Sequence, residues 1–142
     1  VLDFIHTYNF LKSRNAGKNV VNAVTKHDIL IEVQESYKTE YDNSDRRKTV
    51  FWQPRKGLKT SKGGKQSPAT RLEHEFDHGI DDIKDSGRHR HRKEKQDERY
   101  DNREERRVIT GSETDTARKL GESVRYDHGG TTYDVVEPTT TK

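Results

Sequence analysis

Apolar residues occur in short clusters separated by long polar stretches, and the period within each cluster is the first guide to structure. Residues 1–11 (VLDFIHTYNFL) fit a short helix or a strand entering the core, and residues 19–25 (NVVNAVT) are likewise open between the two. Residues 27–35 (HDILIEVQE) carry the β-branched run and period-two flanks of a strand. A polar loop is expected over 36–47. Residues 48–54 (KTVFWQP) predict a second strand closed by proline, with Phe51 and Trp52 as core or cleft wall. A basic, glycine-rich loop follows over 55–66, where no GKS/T pattern makes Gly63-Gly64 a phosphate cradle.

The clearest helix starts at Ser67, a good N-cap, with Pro68 at the first helical position. Leu72, Phe76, Ile80 and Ile83 recur at helical spacing and form one apolar stripe, and Gly87 ends the helix or follows its end. Residues 88–107, including HRHRKEK, are almost wholly charged and read as a solvated loop or exposed helix. A helix begins over 104–109. Ser112 caps one more, running to Leu120 with Gly121 as its stop. Gly129-Gly130 is a turn, and TTYDVV after it an edge strand. These elements predict an α+β fold: a short antiparallel or mixed sheet, one helix packed on it, and further helices after that one. No internal repeat is visible. The length suits a single domain spanning 1–142.

Composition narrows this picture. Only 26% of residues are hydrophobic and 37% are charged, and Leu, Ile, Val and Phe make up less than a fifth of the chain. Such chains fold with difficulty, but the net charge of +3 brings little self-repulsion. A small core with solvated segments is expected, and a bound metal would matter for stability as well as chemistry. There is no cysteine, so neither a disulfide nor a thiolate metal site is available. No apolar run approaches the ~18 residues of a membrane span, and no signal peptide is visible. The chain starts at Val1 and holds no methionine, which reads as a piece of a larger polypeptide.

His74-Glu75-Phe76-Asp77-His78 carries the chemistry. It is HExxH. Two histidines four apart on a helix point the same way and can share one Zn²⁺. Glu75 lies beside them as the base for the attacking water. Seven His and twelve Glu in 142 residues produce this pattern by chance roughly 3% of the time. The motif also lies within a capped amphipathic helix, with both histidines off the apolar stripe. A catalytic zinc needs a third protein ligand and one open position. The longer HExxHxxGxxH pattern is not followed, since Asp81 and Lys84 stand at its Gly and third His. The candidates are then Glu104, Glu105 and Glu113, with His89, His91 and His128 as alternatives. Asp81 or, better, Asp82 is expected to orient a ligand histidine.

The segment EERRVITG at 104–111 resembles the second zinc motif of gluzincins such as the clostridial neurotoxin light chains, and of NleD-like bacterial effector metallopeptidases. In that resemblance the second Glu of the pair is the ligand, which falls on Glu105. SETDTARKLGESVRYDH at 112–128 is similar to a further segment of the effector family, with Gly121 and Arg125 on the family's Gly and Arg. His128 stands at the family's Tyr, Glu122-Ser123 replace a Leu-Pro pair, and Asp77 stands where the family tends to be apolar. The likeness covers roughly residues 27–128. It implies a zincin-like fold and a zinc-dependent endopeptidase with His74, His78 and Glu105 on Zn²⁺. Glu75 would be the base, and Arg125 and His128 would donate to the oxyanion. It also implies a bacterial toxin or effector module, found in RHS-type polypeptides, that is secreted or delivered into a target cell. Its partners would be a protein substrate and a parent shell or immunity protein.

Two other readings compete. A pI near 9.0, the HRHRK run and aromatics such as Trp52 would suit a nucleic-acid-binding module. Near balance of acidic and basic residues and the lack of a base-stacking motif weigh against it. An inactive scaffold with structural zinc would not need the intact Glu75.

Overall fold

The computed structural model describes residues 1–26, 28–44 and 47–142. Two helices open the chain, α1 (Leu2–Ser13) and α2 (Lys18–Thr25), so both undecided N-terminal segments are helical. Two small sheets follow. Strands β1 (Glu32–Glu35), β2 (Glu40–Asp42) and β3 (Thr49–Trp52) form the first, in the order β1-β3-β2. β1 runs parallel to β3 and β2 antiparallel to it, so the sheet is mixed. The second is built from β4 (Lys56–Lys59), β5 (Lys65–Gln66) and β8 (Thr131–Asp134), antiparallel and in the order β5-β4-β8. The expected edge strand near the C-terminus is β8.

Helix α3 (Pro68–Lys84) runs between these sheets and the C-terminal helices. The Ser67 side chain accepts from the Thr70 amide, and Pro68 opens the helix, as the sequence predicts. After α3 come α4 (Ser86–Lys93), a two-stranded hairpin of β6 (Gln96–Asp97) and β7 (Asp101–Asn102), and α5 (Arg103–Val108). A π-helical turn (Ile109–Glu113) joins α5 to α6 (Thr114–Lys119), and Gly121 then takes φ +71°. The architecture is a small mixed α+β fold. No helix among the described residues is long and apolar enough to cross a membrane.

Several local expectations change. Residues 36–47 and 55–66 contain strands rather than loops alone: β2 has only three residues, and β4 carries Gly57 in a polar run, so neither shows a period. The predicted strand over 27–35 is ordered as a strand only over Glu32–Glu35, and His27 lies outside the described residues. Gly87 follows the end of α3 by three residues, as one alternative had it, and lies inside α4. Ser112 is not an N-cap. It lies in the π turn, buried, and its hydroxyl donates to the Asp77 carboxylate. The 88–107 segment opens as a mostly exposed helix, one of its two expected forms, but His89, Tyr100 and Glu104 in it are buried.

The core is small, as the composition demands. Leu11, Val20, Val50, Trp52, Leu72 and Phe76 join α1, α2, β3 and α3. Trp52 is fully buried, and its indole N–H donates to the Pro68 carbonyl at 3.0 Å. Two buried carboxylates on α3 tie the outer elements to it. Asp82 accepts from the Tyr41 hydroxyl, the Asn43 amide and the Lys48 ammonium, which fastens β2 and the start of β3. It therefore does not orient His78, contrary to the expectation from spacing. Glu73 caps α2 from a distance: the amides of Asn19 and Val20 and the Asn19 side chain all donate to it. Helix α2 starts at Gly17 in the left-handed region with no side-chain cap of its own. Burial pushes the Glu73 carboxyl up to about 7, against the pull of those donors.

Glu73→Ala leaves these buried donors unpaired, at about 1–3 kcal/mol for each group left without a partner. The variant is expected to lose at least about 2 kcal/mol, read as a lower urea midpoint at unchanged slope. Glu73→Gln, which keeps one acceptor oxygen, should lose less.

Candidate metal centre

His74, Glu75 and His78 lie on one face of α3, and that face meets α5 and the π turn, so both histidines are buried although they lie off the apolar stripe. Their Nε2 atoms converge to 3.0 Å. Glu105 closes the third side. One of its oxygens is 3.0 Å from His74 Nε2 and the other 2.8 Å from His78 Nε2.

The opposite ring nitrogens explain the geometry. His74 Nδ1 donates to Glu113 at 2.7 Å, and His78 Nδ1 donates to Glu104 at 2.8 Å. A carboxylate only accepts, so each Nδ1 carries its proton and each Nε2 faces inward. Two ring nitrogens and a carboxylate at such distances repel one another unless a proton or a metal cation sits among them. This donor set fits a metal: two imidazoles and one carboxylate, each imidazole oriented by an outer carboxylate. His74, Glu75 and His78 form one group that can hold an ion, and His74, Glu105 and His128 another.

Of the six third-ligand candidates, Glu105 faces both Nε2 atoms. Glu104 and Glu113 stand behind the rings instead, as orienters. His89 is buried but turned away, with Nδ1 donating to Asp81 at 2.8 Å, and His91 is exposed on α4. Asp81 thus orients His89 and not a histidine of the HExxH pair. His128 approaches from outside α3, with Nε2 at 3.2 Å from Glu105 and Nδ1 donating to Asp101 at 2.6 Å. Asp101 takes φ +69°, a conformation non-glycine residues rarely adopt and one that recurs at functional sites.

Local structure supplies each carboxylate. Asn102 caps α5 by accepting from the Glu105 amide at 2.9 Å, which puts the Glu pair in the first turn. The π turn resets the helical phase, so that Glu104 and Glu113 both face α3 despite a separation unsuited to one α-helical face. Arginines hold the outer carboxylates. Arg92 and Arg107 donate to Glu104, and Arg125 donates two N–H groups to Glu113, at 2.9 and 2.6 Å. Asp77 pairs with Arg107 at 2.9 Å, which gives its polarity a purpose.

The charges respond accordingly. Burial alone would lower both histidines, but the carboxylates around them prevail. They raise His74 well above its ordinary value and His78 to about 9. Burial works to raise Glu105, and the three imidazoles facing it hold it far below the carboxylate range. Glu113 is likewise buried yet held down to about 2 by Arg125 and His74. His128 is raised by its hydrogen bond to Glu105. A metal entering here displaces imidazole protons, so binding releases protons.

Sequence reasoning found every inward-facing group, and also named Glu104 and Glu113, but as ligand candidates. It named Asp77, Asp81 and His89 but not the arginines, Arg107 and Arg92, that tie them into the network. Their signal lay in the charge alternation of the 88–107 segment, which reads as solvation until α3 supplies its partners. Arg92 is spent on Asp81 and Glu104, which removes part of the basic run a nucleic acid would use.

The protein-family model Peptidase_M91, described as an effector protein, matches residues 6–137. A search of curated proteins and a search of solved structures found no match.

The geometry predicts graded metal loss. Glu105→Ala should abolish tight binding of a metal ion, while Glu104→Ala and Glu113→Ala should weaken it by about 10–100-fold, the usual effect of losing an orienting partner. Competition against a chromogenic chelator measures this series.

Proposed function

Because the chain belongs to the Peptidase_M91 family of effector proteins, we propose that it is a zinc-dependent endopeptidase that cleaves a protein inside the cell it is delivered into. Family membership makes it a peptidase-type effector, with a metal cofactor and a protein substrate. The finer reading rests on one observation above all: the Nε2 atoms of His74 and His78 and the Glu105 carboxylate converge while Glu113 and Glu104 occupy the outer ring nitrogens. Three protein ligands of this kind, without cysteine, match a catalytic rather than a structural zinc site. The zincin-like and gluzincin assignments, and a parent polypeptide or immunity partner, go with the same reading.

His74, His78 and Glu105 would hold the ion. Bound zinc supplies Lewis acidity, polarising the scissile carbonyl and making water acidic enough to be activated at neutral pH. The chain's own residues do the rest. Glu75 is fixed by the Tyr41 backbone N–H, which donates to one oxygen at 3.1 Å, while its other oxygen lies 4.0 Å from His74 Nε2. It takes the proton from the attacking water and passes it to the leaving amine. Arg125 lines the cleft beside His74, and its fork is held rigid by Glu113. A donor preorganised in this way suits the negative charge that develops on the carbonyl oxygen. His128, on the same side and held by Asp101, is its companion. Its ring is stacked 6.3 Å from that of His74.

Glu75→Gln keeps size and polarity but is not a base. It should retain zinc and lose at least about 10³-fold in turnover on a cleaved protein; near-wild-type cleavage would reject the mechanism. Arg125→Ala and His128→Ala should each cut turnover by about 10²–10³, the loss for one oxyanion donor, and His128→Tyr should keep much of the activity. Turnover measured beside metal content checks both, and loss of zinc rather than rate in His128→Ala would make His128 a ligand.

A further inference from the structure

A cavity of about 230 Å³ opens beside the catalytic face of α3, lined by Arg71, His74, Glu75, Arg125, His128 and Thr132 among others. It is large enough for one amino-acid side chain. Four of its lining residues are basic: Arg71, His74, Arg125 and His128. Three of them already face a carboxylate: His74 faces Glu113 and Glu105, Arg125 faces Glu113, and His128 faces Asp101 and Glu105. Arg71 is different. It lies three residues before His74 and four before Glu75, so it shares their face of α3 one turn earlier. It is half-buried, and its one hydrogen bond is from Nη1 to the Lys56 carbonyl at 3.0 Å. Among the described residues no carboxylate lies within ion-pair distance of it, and Glu75 and Glu113 attract it only at longer range.

A guanidinium carries five N–H donors in a fixed fork suited to a carboxylate. A half-buried one that donates to a single carbonyl, in a cavity that opens on the reaction centre, keeps N–H groups available to a group that enters. We propose that Arg71 is a specificity-determining residue, which selects substrates carrying an Asp or Glu side chain next to the scissile bond. This inference rests on the peptidase reading above. The bond to the Lys56 carbonyl already restrains the guanidinium, so less order is lost when a carboxylate binds its remaining N–H groups. The amide of Asn or Gln accepts through one neutral oxygen and presents an N–H₂ to a donor. Neutral side chains therefore bind worse here, and Lys or Arg would be repelled. Leu58 and Thr132 face the same cavity and leave the guanidinium less hydrated than at an open surface.

The test uses the full chain loaded with zinc, in two arms. In the first, a peptide library digested from a whole proteome is cleaved and the sites are read by mass spectrometry. Wild type should favour Asp or Glu over Asn or Gln by at least about 10-fold at one position flanking the cut. Arg71→Met should erase that preference, Arg71→Glu should reverse it toward Lys or Arg, and Arg71→Lys should keep part of it. In the second arm, zinc-loaded Glu75→Gln binds two fluorescent peptide pools differing only in a central Asp or Asn, followed by anisotropy. The Asp pool should bind more tightly, and adding Arg71→Met should remove the difference. A wild-type cleavage profile without acidic enrichment overturns the inference. So does enrichment that persists in Arg71→Met at unchanged zinc content and melting temperature. If Arg71→Met does not fold, the wild-type profile and Arg71→Lys decide. If nothing is cleaved, the peptidase reading fails, and the binding arm alone decides whether Arg71 selects a carboxylate.

Discussion

The Nε2 atoms of His74 and His78 stand 3.0 Å apart with a carboxylate against both, and the surrounding structure is arranged to keep them there. Such a cluster does not hold itself. Each imidazole is anchored through Nδ1 to a carboxylate, each of those carboxylates is anchored to arginine, and the arginines come from α4, α5 and the segment after α6. The result is a buried polar network where a chain richer in apolar residues would have a second hydrophobic layer. Burying charge is costly unless each group is paired and hydrogen-bonded, and here nearly every buried carboxylate has at least two donors. The fold is consequently divided. On one side of α3, Trp52, Phe76 and Leu72 pack against the sheet and the N-terminal helices. On the other, ionic pairs are added to a few buried apolar residues such as Val108, Ile109 and Ala117.

That division explains what could be read from the sequence. The capped helix at Ser67, the apolar stripe of α3 and the HExxH face follow from local chemistry, and each stands as read. The strand at 49–52 and the edge strand at 131–134 also follow, from β-branched runs next to turn residues. Elements β2, β4 and β5 were not legible, because strands of two to four residues in polar surroundings have no period to detect. Glu104 and Glu113 were visible as carboxylates near the motif, but their part was not. Whether a carboxylate faces Nδ1 or Nε2 depends on helix phase, and the π turn at Ile109–Glu113 leaves no mark in the sequence that spacing rules detect. The assignment of Glu105 came from resemblance, and the convergence of α3 and α5 supplies an independent geometric reason for it.

The same logic accounts for residues that look out of place. Asp77 belongs to the network through Arg107 and Ser112, so a polar residue suits this chain where the resemblance implied an apolar one. Glu122, in place of an apolar residue, accepts from the Ser67 amide and the Thr70 hydroxyl, and so reinforces the start of α3 one turn before the histidines. His128 retains a polar tip beside Glu105, fixed by Asp101. Arg71 stands apart from this economy of pairs. Among the described residues it is a cleft cation with no carboxylate within ion-pair distance.

The central claim is that His74, His78 and Glu105 surround a zinc ion. Metal analysis of the purified chain by mass spectrometry, beside a His74→Ala control, tests it most directly. The account predicts about one equivalent of zinc in the wild type, recovered on reloading after chelation, and none retained by His74→Ala. Wild-type protein that holds less than a few tenths of an equivalent and does not reload, or a His74→Ala variant that holds as much as the wild type, would contradict it.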